Sequence, residues 1–223
     1  SDPITRVGGE KCTYQIPTYE ALKGILSSVY WKPTIIWYID AVRIMKPIQT
    51  EVKGIRPIKY HGGNDLAYYT YLKYVQYQVK AHFEWNDNRP ELANDRNENK
   101  HHCIAKRMVE KGGRRDIYLG TRECQGYVEP CQFGAGSGAY DEIPELSFGL
   151  MFHGFTYPDE AYPPETKNKM TANFWYPVMK NGVLSFPRPE ACPLHKPLRE
   201  MEMKIFDQTA GNFSGLTEFG EVI

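Results

Sequence analysis

The run Arg96-Asn97-Glu98-Asn99-Lys100-His101-His102 gathers groups able to do acid–base chemistry on an anion. Lysine brings a fixed positive charge, and histidine exchanges a proton near neutral pH. The run lies where a polar loop enters a helix, with Asn99 expected as the N-cap. Free backbone N–H groups and the positive end of a helix make such a place a phosphate site. Lys100 and His101 are adjacent, so in mid-helix they would point about 100° apart. At the first turn, with the chain still arriving from the loop, both can face one anion. Lysine then steadies a developing phosphorane while histidine moves a proton. The bland alternative is that two exposed polar residues open a helix. His101-His102-Cys103 also invites a metal, but neighbouring side chains diverge on a helix and no ligand set sits at metal spacing, so no metal is expected.

The elements that must position this run are legible in the periodicity. Thr18 to Tyr30 predicts a helix, with Thr18 as N-cap and Leu22, Ile25, Leu26 and Val29 as its apolar stripe. Tyr30 and Trp31 close it, either as core aromatics or as platforms for unpaired bases, and Pro33 stops it. Ile35 to Met45 predicts a strand. Tyr77 to Trp85 alternates apolar and polar residues strictly, which predicts a strand with one buried face and places His82 on the wet side. A helix over Lys100 to Lys111 carries Ile104, Met108 and Val109 inward and stops at Gly112-Gly113. Asp116 to Leu119 supplies a short strand. Helix, strand, long excursion, strand, helix, strand is the order of a ferredoxin-like βαββαβ unit without its first strand, an α+β arrangement. Beyond Thr121 short strands are expected at Leu146–Phe155, Asn173–Lys180 and Val183–Phe186, with Asn181-Gly182 as the turn of a hairpin. The expected organisation is therefore a domain over 1–122, a small antiparallel β domain over 123–206, and a loose tail over 207–223. From Pro187 the chain reads as irregular.

The chain has 223 residues with zero net charge, from 27 basic and 27 acidic side chains. That balance hides blocks. Residues 96–115 hold seven basic residues (Arg96, Lys100, Lys106, Arg107, Lys111, Arg114, Arg115) against Glu98 and Glu110, a net of +5. Residues 42–60 hold five (Arg43, Lys46, Lys53, Arg56, Lys59) against Glu51, a net of +4. Residues 140–165 hold six acids and no Lys or Arg. Segregation of this kind permits a face for a polyanion. Candidate contacts for such a polyanion are accordingly Arg43, Lys46, Lys53, Arg56, Arg96, Lys106, Arg107, Arg114 and Arg115. No apolar run has the length of a membrane span and no export signal opens the chain, so a cytoplasmic protein with no membrane partner is expected. The five cysteines include no CxxC and are expected to act as buried or half-buried small hydrophobes. No Walker-A run, dinucleotide fingerprint, GxSxG or HExxH occurs, and no cofactor is expected.

Several runs, in order, carry a family resemblance: Gly8-Gly9-Glu10-Lys11, Pro17 to Ile25, Tyr30-Trp31-Lys32-Pro33, Asp95 to His101, Gly112-Gly113-Arg114-Arg115-Asp116, Arg122 to Val128, His153-Gly154-Phe155 and Phe186 to Glu190. They resemble the fifth CRISPR-associated (Cas) protein family, subtype I-C or Dvulg, within the RAMP superfamily. The resemblance implies a ferredoxin-like RNA-binding domain followed by a β domain. It also implies metal-independent cleavage of precursor CRISPR RNA at the base of the repeat hairpin. In that chemistry the 2′-hydroxyl attacks, leaving a 2′,3′-cyclic phosphate and a 5′-hydroxyl. The family's catalytic tyrosine, lysine and histidine fall on Tyr30, Lys100 and His101. Tyr30 and His101 would transfer and position protons, with the base and acid roles left open between them, and Lys100 would meet the transition-state charge. Implied partners are the CRISPR repeat RNA and its crRNA product, the other subunits of the Cascade complex, and duplex DNA. Family members carry a further N-terminal stretch that forms the first strand of the sheet, so its lack would leave an exposed edge.

Two other readings compete. A non-catalytic RNA-binding subunit of the same complex would not need Tyr30, Lys100 and His101 together. A metal-dependent nuclease would need a ligand set that the spacing does not offer.

Overall fold

The computed structural model describes residues 11–161 and 168–203. The expected tail over 207–223 and the Gly8-Gly9-Glu10 run lie outside the described residues. In chain order the elements are β1 (Lys11–Cys12), α1 (Tyr19–Val29), β2 (Ile35–Ile44), β3 (Thr50–Ile55), β4 (Ala67–Leu72), β5 (Tyr77–Trp85), a 3-10 helix (Pro90–Asp95), α2 (Glu98–Glu110), β6 (Ile117–Tyr118), β7 (Gln125–Gly126), β8 (Leu146–Ser147), β9 (Met151–Thr156), β10 (Lys169–Trp175), β11 (Val178–Lys180), β12 (Val183–Ser185) and β13 (Leu194–Glu200). Short 3-10 turns also occur at Pro158–Glu160 and Pro189–Ala191. The chain is α+β, and α1–β2, excursion, β5–α2–β6 follows the expected ferredoxin-like order.

α1 starts where Thr18 accepts a hydrogen bond from the Ala21 N–H, the capping geometry its sequence called for. β2 and β5 pair antiparallel along their whole length, from Ile35 opposite Trp85 to Ile44 opposite Tyr77. A register shift between Ile39 and Ala41 leaves Asp40 bulged. The bulge resets the alternation, so Ile35, Trp37 and Ile39 before it and Val42 and Ile44 after it all reach the core. The other edge of β2 pairs with β12, and the sheet runs β5-β2-β12-β11-β8. Strands from both sides of residue 122 thus share one sheet. The β11–β12 hairpin turns at Asn181 (φ 47°) and Gly182 (φ 77°), both left-handed as a two-residue turn of this kind requires.

Three features depart from the sequence expectation. The long excursion is a hairpin, β3 with β4, to which β1 adds in parallel. The span 146–155 breaks into β8 and β9, which join different sheets, and 173–180 breaks likewise at Tyr176-Pro177, between β10 and β11. The stretch after Pro187, read as irregular, forms β13 against β10. Its seven residues are all exposed and carry no alternation, so periodicity could not reveal it.

Two apolar clusters hold the sheet and helices together. The larger joins Tyr19 and Leu22 of α1 to Val42, Ile44, Met151, Trp175, Met179 and Leu184. The smaller joins Val29, Tyr30, Ile35, Trp37 and Ile117, backed by Phe83, Trp85, Ile104 and Met108. The candidate site sits at the edge of this second cluster. Among the described residues no helix is long and apolar enough to cross a membrane. All five cysteines are free, and Cys103 and Cys131 are exposed rather than buried.

Candidate active site

α2 begins two residues earlier than expected. Its N-cap is Asn97, whose side chain accepts from the Lys100 N–H at 3.0 Å. Lys100 and His101 are therefore the third and fourth residues of the helix, still in its first turn, yet they point apart, as adjacent helical residues must. His101 is completely buried, while the Lys100 side chain is about half exposed. They do not share an anion by pointing the same way; Asp95 brings them together.

Asp95 ends the 3-10 helix that starts at Pro90, and the turn through Arg96 and Asn97 folds it back over the start of α2. Its carboxylate Oδ1 accepts from the Lys100 ammonium at 2.5 Å, and Oδ2 accepts from the Thr34 hydroxyl at 2.8 Å. Its backbone carbonyl lies 2.8 Å from His101 Nε2, and its Oδ2 lies 3.5 Å from the same nitrogen. Arg96 ties the turn down by donating to the Asn86 carbonyl and pairing with Asp87. The Lys100 hydrogen bond, first, holds the Asp95 carboxyl below the usual range; burial opposes this and the Thr34 bond adds to it.

A carbonyl can only accept, so His101 Nε2 carries the hydrogen, and in the neutral ring Nδ1 is left to accept. It faces the Tyr30 hydroxyl at 2.7 Å. Tyr30 is the C-cap of α1, and the Trp37 indole donates to its carbonyl at 2.8 Å. Burial raises the Tyr30 phenol above its ordinary value, the Asp95 charge adds to this, and the Arg114 charge opposes it. The phenol is therefore a protonated donor to His101. Trp85 and Phe83 close round the imidazole edge-on, with ring centroids at 5.5 and 6.2 Å. The result is a linked set: Asp95 carbonyl, His101, Tyr30 hydroxyl, with the Lys100 ammonium beside it. It can pass a proton inward from Tyr30 to His101 and hold a positive charge at the surface. Among the described residues no group of three or more His, Cys, Asp or Glu side chains could hold a metal ion.

The sequence reading missed Asp95 and Thr34. Asp95 lies next to the chosen run, but its acid was not counted because only the folded turn shows which way it points. The candidate RNA contacts scatter. Arg114 and Arg115 are exposed just past α2, as are Lys106 and Arg107 on it. Lys46, Lys53 and Arg56 are exposed on or beside the β3–β4 hairpin, with Lys53 paired to Glu51. Arg96 is held in the turn described above. Arg43 is 6% exposed and its guanidinium donates to Asp141, Gln78 and the Ala135 and Gly136 carbonyls, which leaves no donor for a phosphate. It anchors the glycine-rich loop. His82 is half exposed between Asp40 and Glu84, the solvent-side role its alternation indicated.

The comparisons with known proteins agree with one another. The family described as CRISPR-associated protein (Cas_Cas5) matches residues 1–187. A protein of Mannheimia succiniciproducens named CRISPR pre-crRNA endoribonuclease Cas5d is 26% identical over 217 residues, covering 80% of this chain and 86% of its own. Among solved structures, a CRISPR-associated protein superposes with a TM-score of 0.71 at 36% identity, covering 83% of this chain and 87% of its own. A functionally uncharacterized protein from Streptococcus mutans superposes with a TM-score of 0.71 at 37% identity, covering 88% and 90%. With its ferredoxin-like order, its matched sequence and its superposition on these neighbours, this chain belongs to the Cas5 family of CRISPR-associated proteins.

Proposed function

We propose that this protein processes CRISPR RNA, acting as a metal-independent endoribonuclease that cuts the precursor at the base of the repeat hairpin. The observation that carries the reading is the 2.7 Å contact between the Tyr30 hydroxyl and His101 Nδ1, with Lys100 held alongside through Asp95. Its relative from Mannheimia is named a CRISPR pre-crRNA endoribonuclease. His101 has no exposed surface and Tyr30 keeps 3%, so the substrate meets the pair through the phenol. The 2′-hydroxyl gives its proton to the Tyr30 oxygen as the Tyr30 proton moves to His101 Nδ1. The freed 2′-oxygen attacks phosphorus, the 5′-oxygen leaves and takes a proton from water, and a 2′,3′-cyclic phosphate remains. The new imidazolium keeps the Asp95 carbonyl 2.8 Å from Nε2, with the Asp95 carboxylate 3.5 Å from the same nitrogen. Lys100 balances the charge of the phosphorane. The cut RNA stays bound by its 5′ handle, and the protein then serves as a Cascade subunit. Residues 1–122 would carry the RNA-binding and catalytic elements and 123–206 the β domain. Lys46, Lys53, Arg56, Lys106, Arg107, Arg114 and Arg115 would grip the RNA backbone.

The test is incubation with a labelled repeat hairpin in EDTA. Cleavage should persist and leave a cyclic phosphate and a 5′-hydroxyl. A single 2′-deoxy nucleotide upstream of the cut should leave the RNA bound and whole. Cleavage that returns only with added Mg²⁺ or Mn²⁺, or cutting of the deoxy substrate, would overturn the reading. The runner-up is a non-catalytic RNA-binding subunit; binding without cleavage by the wild-type protein would favour it.

A further inference from the structure

One residue past Tyr30, the end of α1 opens onto a groove of about 270 Å³ lined by Ser27, Ser28, Trp31, Arg114 and Arg115. Trp31 leaves 43% of its surface in solvent. Its neighbours Tyr30 and Trp37 are buried in the adjacent cluster, so the exposed indole is not an overflow of that core. The two arginines are fixed at the backbone. The N–H groups of Arg114 and Arg115 both donate to the Ser28 carbonyl, at 3.2 and 3.1 Å. Gly112 (φ 82°) and Gly113 (φ 105°) turn the chain sharply to bring them there. At Gly113 a Cβ would also press on Ile117 and the Arg115 carbonyl, at 3.1 and 3.2 Å. Among the described residues neither Arg114 nor Arg115 joins an ion pair, whereas Arg43, Arg89, Arg96 and Arg188 all do. The Arg114 charge also acts on the Tyr30 phenol, opposing the rise that burial and the Asp95 charge produce.

An exposed aromatic side chain sharing a groove with two backbone-anchored cations matches the flat base and anionic phosphate of one nucleotide. Arginine forks also suit phosphate oxygens in geometry. We propose that this groove seats an unpaired nucleotide next to the cut bond, its base stacked on Trp31 and its phosphate held by Arg114 and Arg115. A base-paired nucleotide inside a stem has no free face for Trp31, so the groove reads the junction between the hairpin stem and its single-stranded flank. The inference rests on the reading of Tyr30 as the group that meets the scissile nucleotide.

The experiment uses the full chain and a repeat hairpin made uncleavable by one 2′-deoxy nucleotide, with 2-aminopurine placed on one side of the cut or the other. Binding should quench the fluorophore at one of these positions. Trp31→Ala should abolish that quench and weaken the hairpin with its flank by roughly 5- to 100-fold, while a hairpin trimmed to the stem binds unchanged. Trp31→Phe should restore most of both signals, which also shows that the fold survives. No quench at either position with the wild-type protein, equal weakening of the trimmed hairpin, or equal competition by an acidic peptide would overturn the groove. Cleavage of the plain RNA separates the two ideas. Quench without any cleavage by the wild type sinks the catalytic reading and leaves the groove only as a seat for an unpaired nucleotide with no cut bond beside it; cleavage without quench does the reverse.

Discussion

His101 and His153 are both completely buried, and their surroundings give them opposite tasks. His101 has a partner at each ring nitrogen: the Asp95 carbonyl at Nε2 and the Tyr30 hydroxyl at Nδ1. Through Tyr30 it reaches the surface, and through Asp95 it reaches a charge. His153 donates from Nε2 to the Pro187 carbonyl at 3.0 Å, and its Nδ1 has no partner among the described residues. It stacks on Tyr19 at 4.3 Å and meets Trp175 and Phe186 edge-on. Burial, with the Lys23 charge adding, pushes its pKa down to about 4, against a smaller upward pull from the Pro187 carbonyl. On the proposed mechanism a buried histidine is a proton carrier where polar partners lead out of the core, and a packing residue where they do not.

The sharpest way to break this contrast is to remove the two wires separately. Tyr30→Phe takes away one oxygen and keeps the ring, and His101→Ala takes away the acceptor. Each should slow cleavage by about 10²- to 10⁴-fold with hairpin affinity changed only slightly, measured by single-turnover cleavage beside filter binding. His153→Ala should leave the rate per folded molecule unchanged and lower unfolding free energy by about 3 kcal/mol through the cavity it opens. Loss of binding in His101→Ala as large as its loss of cleavage would mark that residue as a structural prop.

A second cut tests Asp95. Asp95→Asn keeps the backbone carbonyl for His101 and an oxygen for Thr34, and removes the charge from Lys100. Single-turnover cleavage should fall roughly 10- to 100-fold, the order expected when positioning is lost, with little change in Kd. Asp95→Glu should recover part of the rate. Wild-type cleavage in Asp95→Asn would show that the carboxylate merely neutralises Lys100.

The third expectation concerns acid. His153 must be neutral in the fold, and its pKa falls from the ordinary 6.5 to about 4. The unfolded chain therefore binds the extra proton first. Stability is full above pH 6.5 and is lost as pH falls toward about 4, by up to about 3 kcal/mol from this group. The depressed carboxylates Asp95, Glu84 and Asp141 act in a lower window, since their contributions go only as pH drops through values below the ordinary carboxylate range. Urea unfolding at pH 7 and pH 4.5 should give a smaller difference for His153→Phe than for the wild type.

The smallest effect separates the arginines. Replacing Arg114 and Arg115 together by alanine should flatten the dependence of log Kd on log salt by about 0.7, as one single-strand phosphate contact disappears. Arg43→Ala should leave that slope alone and lower Tm by roughly 5 °C or more, because its loss frees the 134–138 loop. A changed salt slope in Arg43→Ala would place that arginine on the RNA after all.

Local order was largely legible in the residues. The Thr18 cap, the Tyr77–Trp85 alternation and the Asn181-Gly182 turn each rest on interactions a few residues apart, so neighbours in sequence suffice to specify them. The same holds for Lys100 and His101 standing at the start of one helix, and family motifs added Tyr30 to them. Long-range contacts decided the rest. The exposed β13 exists because its partner β10 is supplied from elsewhere, and the β3–β4 hairpin, though it pairs neighbouring strands, carries no period that announces it. Arg43 and Arg114 belong to similar basic blocks, yet Asp141, 98 positions along the chain, claims the first and nothing among the described residues claims the second. Tyr30 and His101 are 71 residues apart and meet only because α1 and α2 pack on the same side of the β2–β5 pair. Sequence names the groups able to move a proton; the contact that lets them do so is set by packing, which brings together side chains that chain order keeps apart.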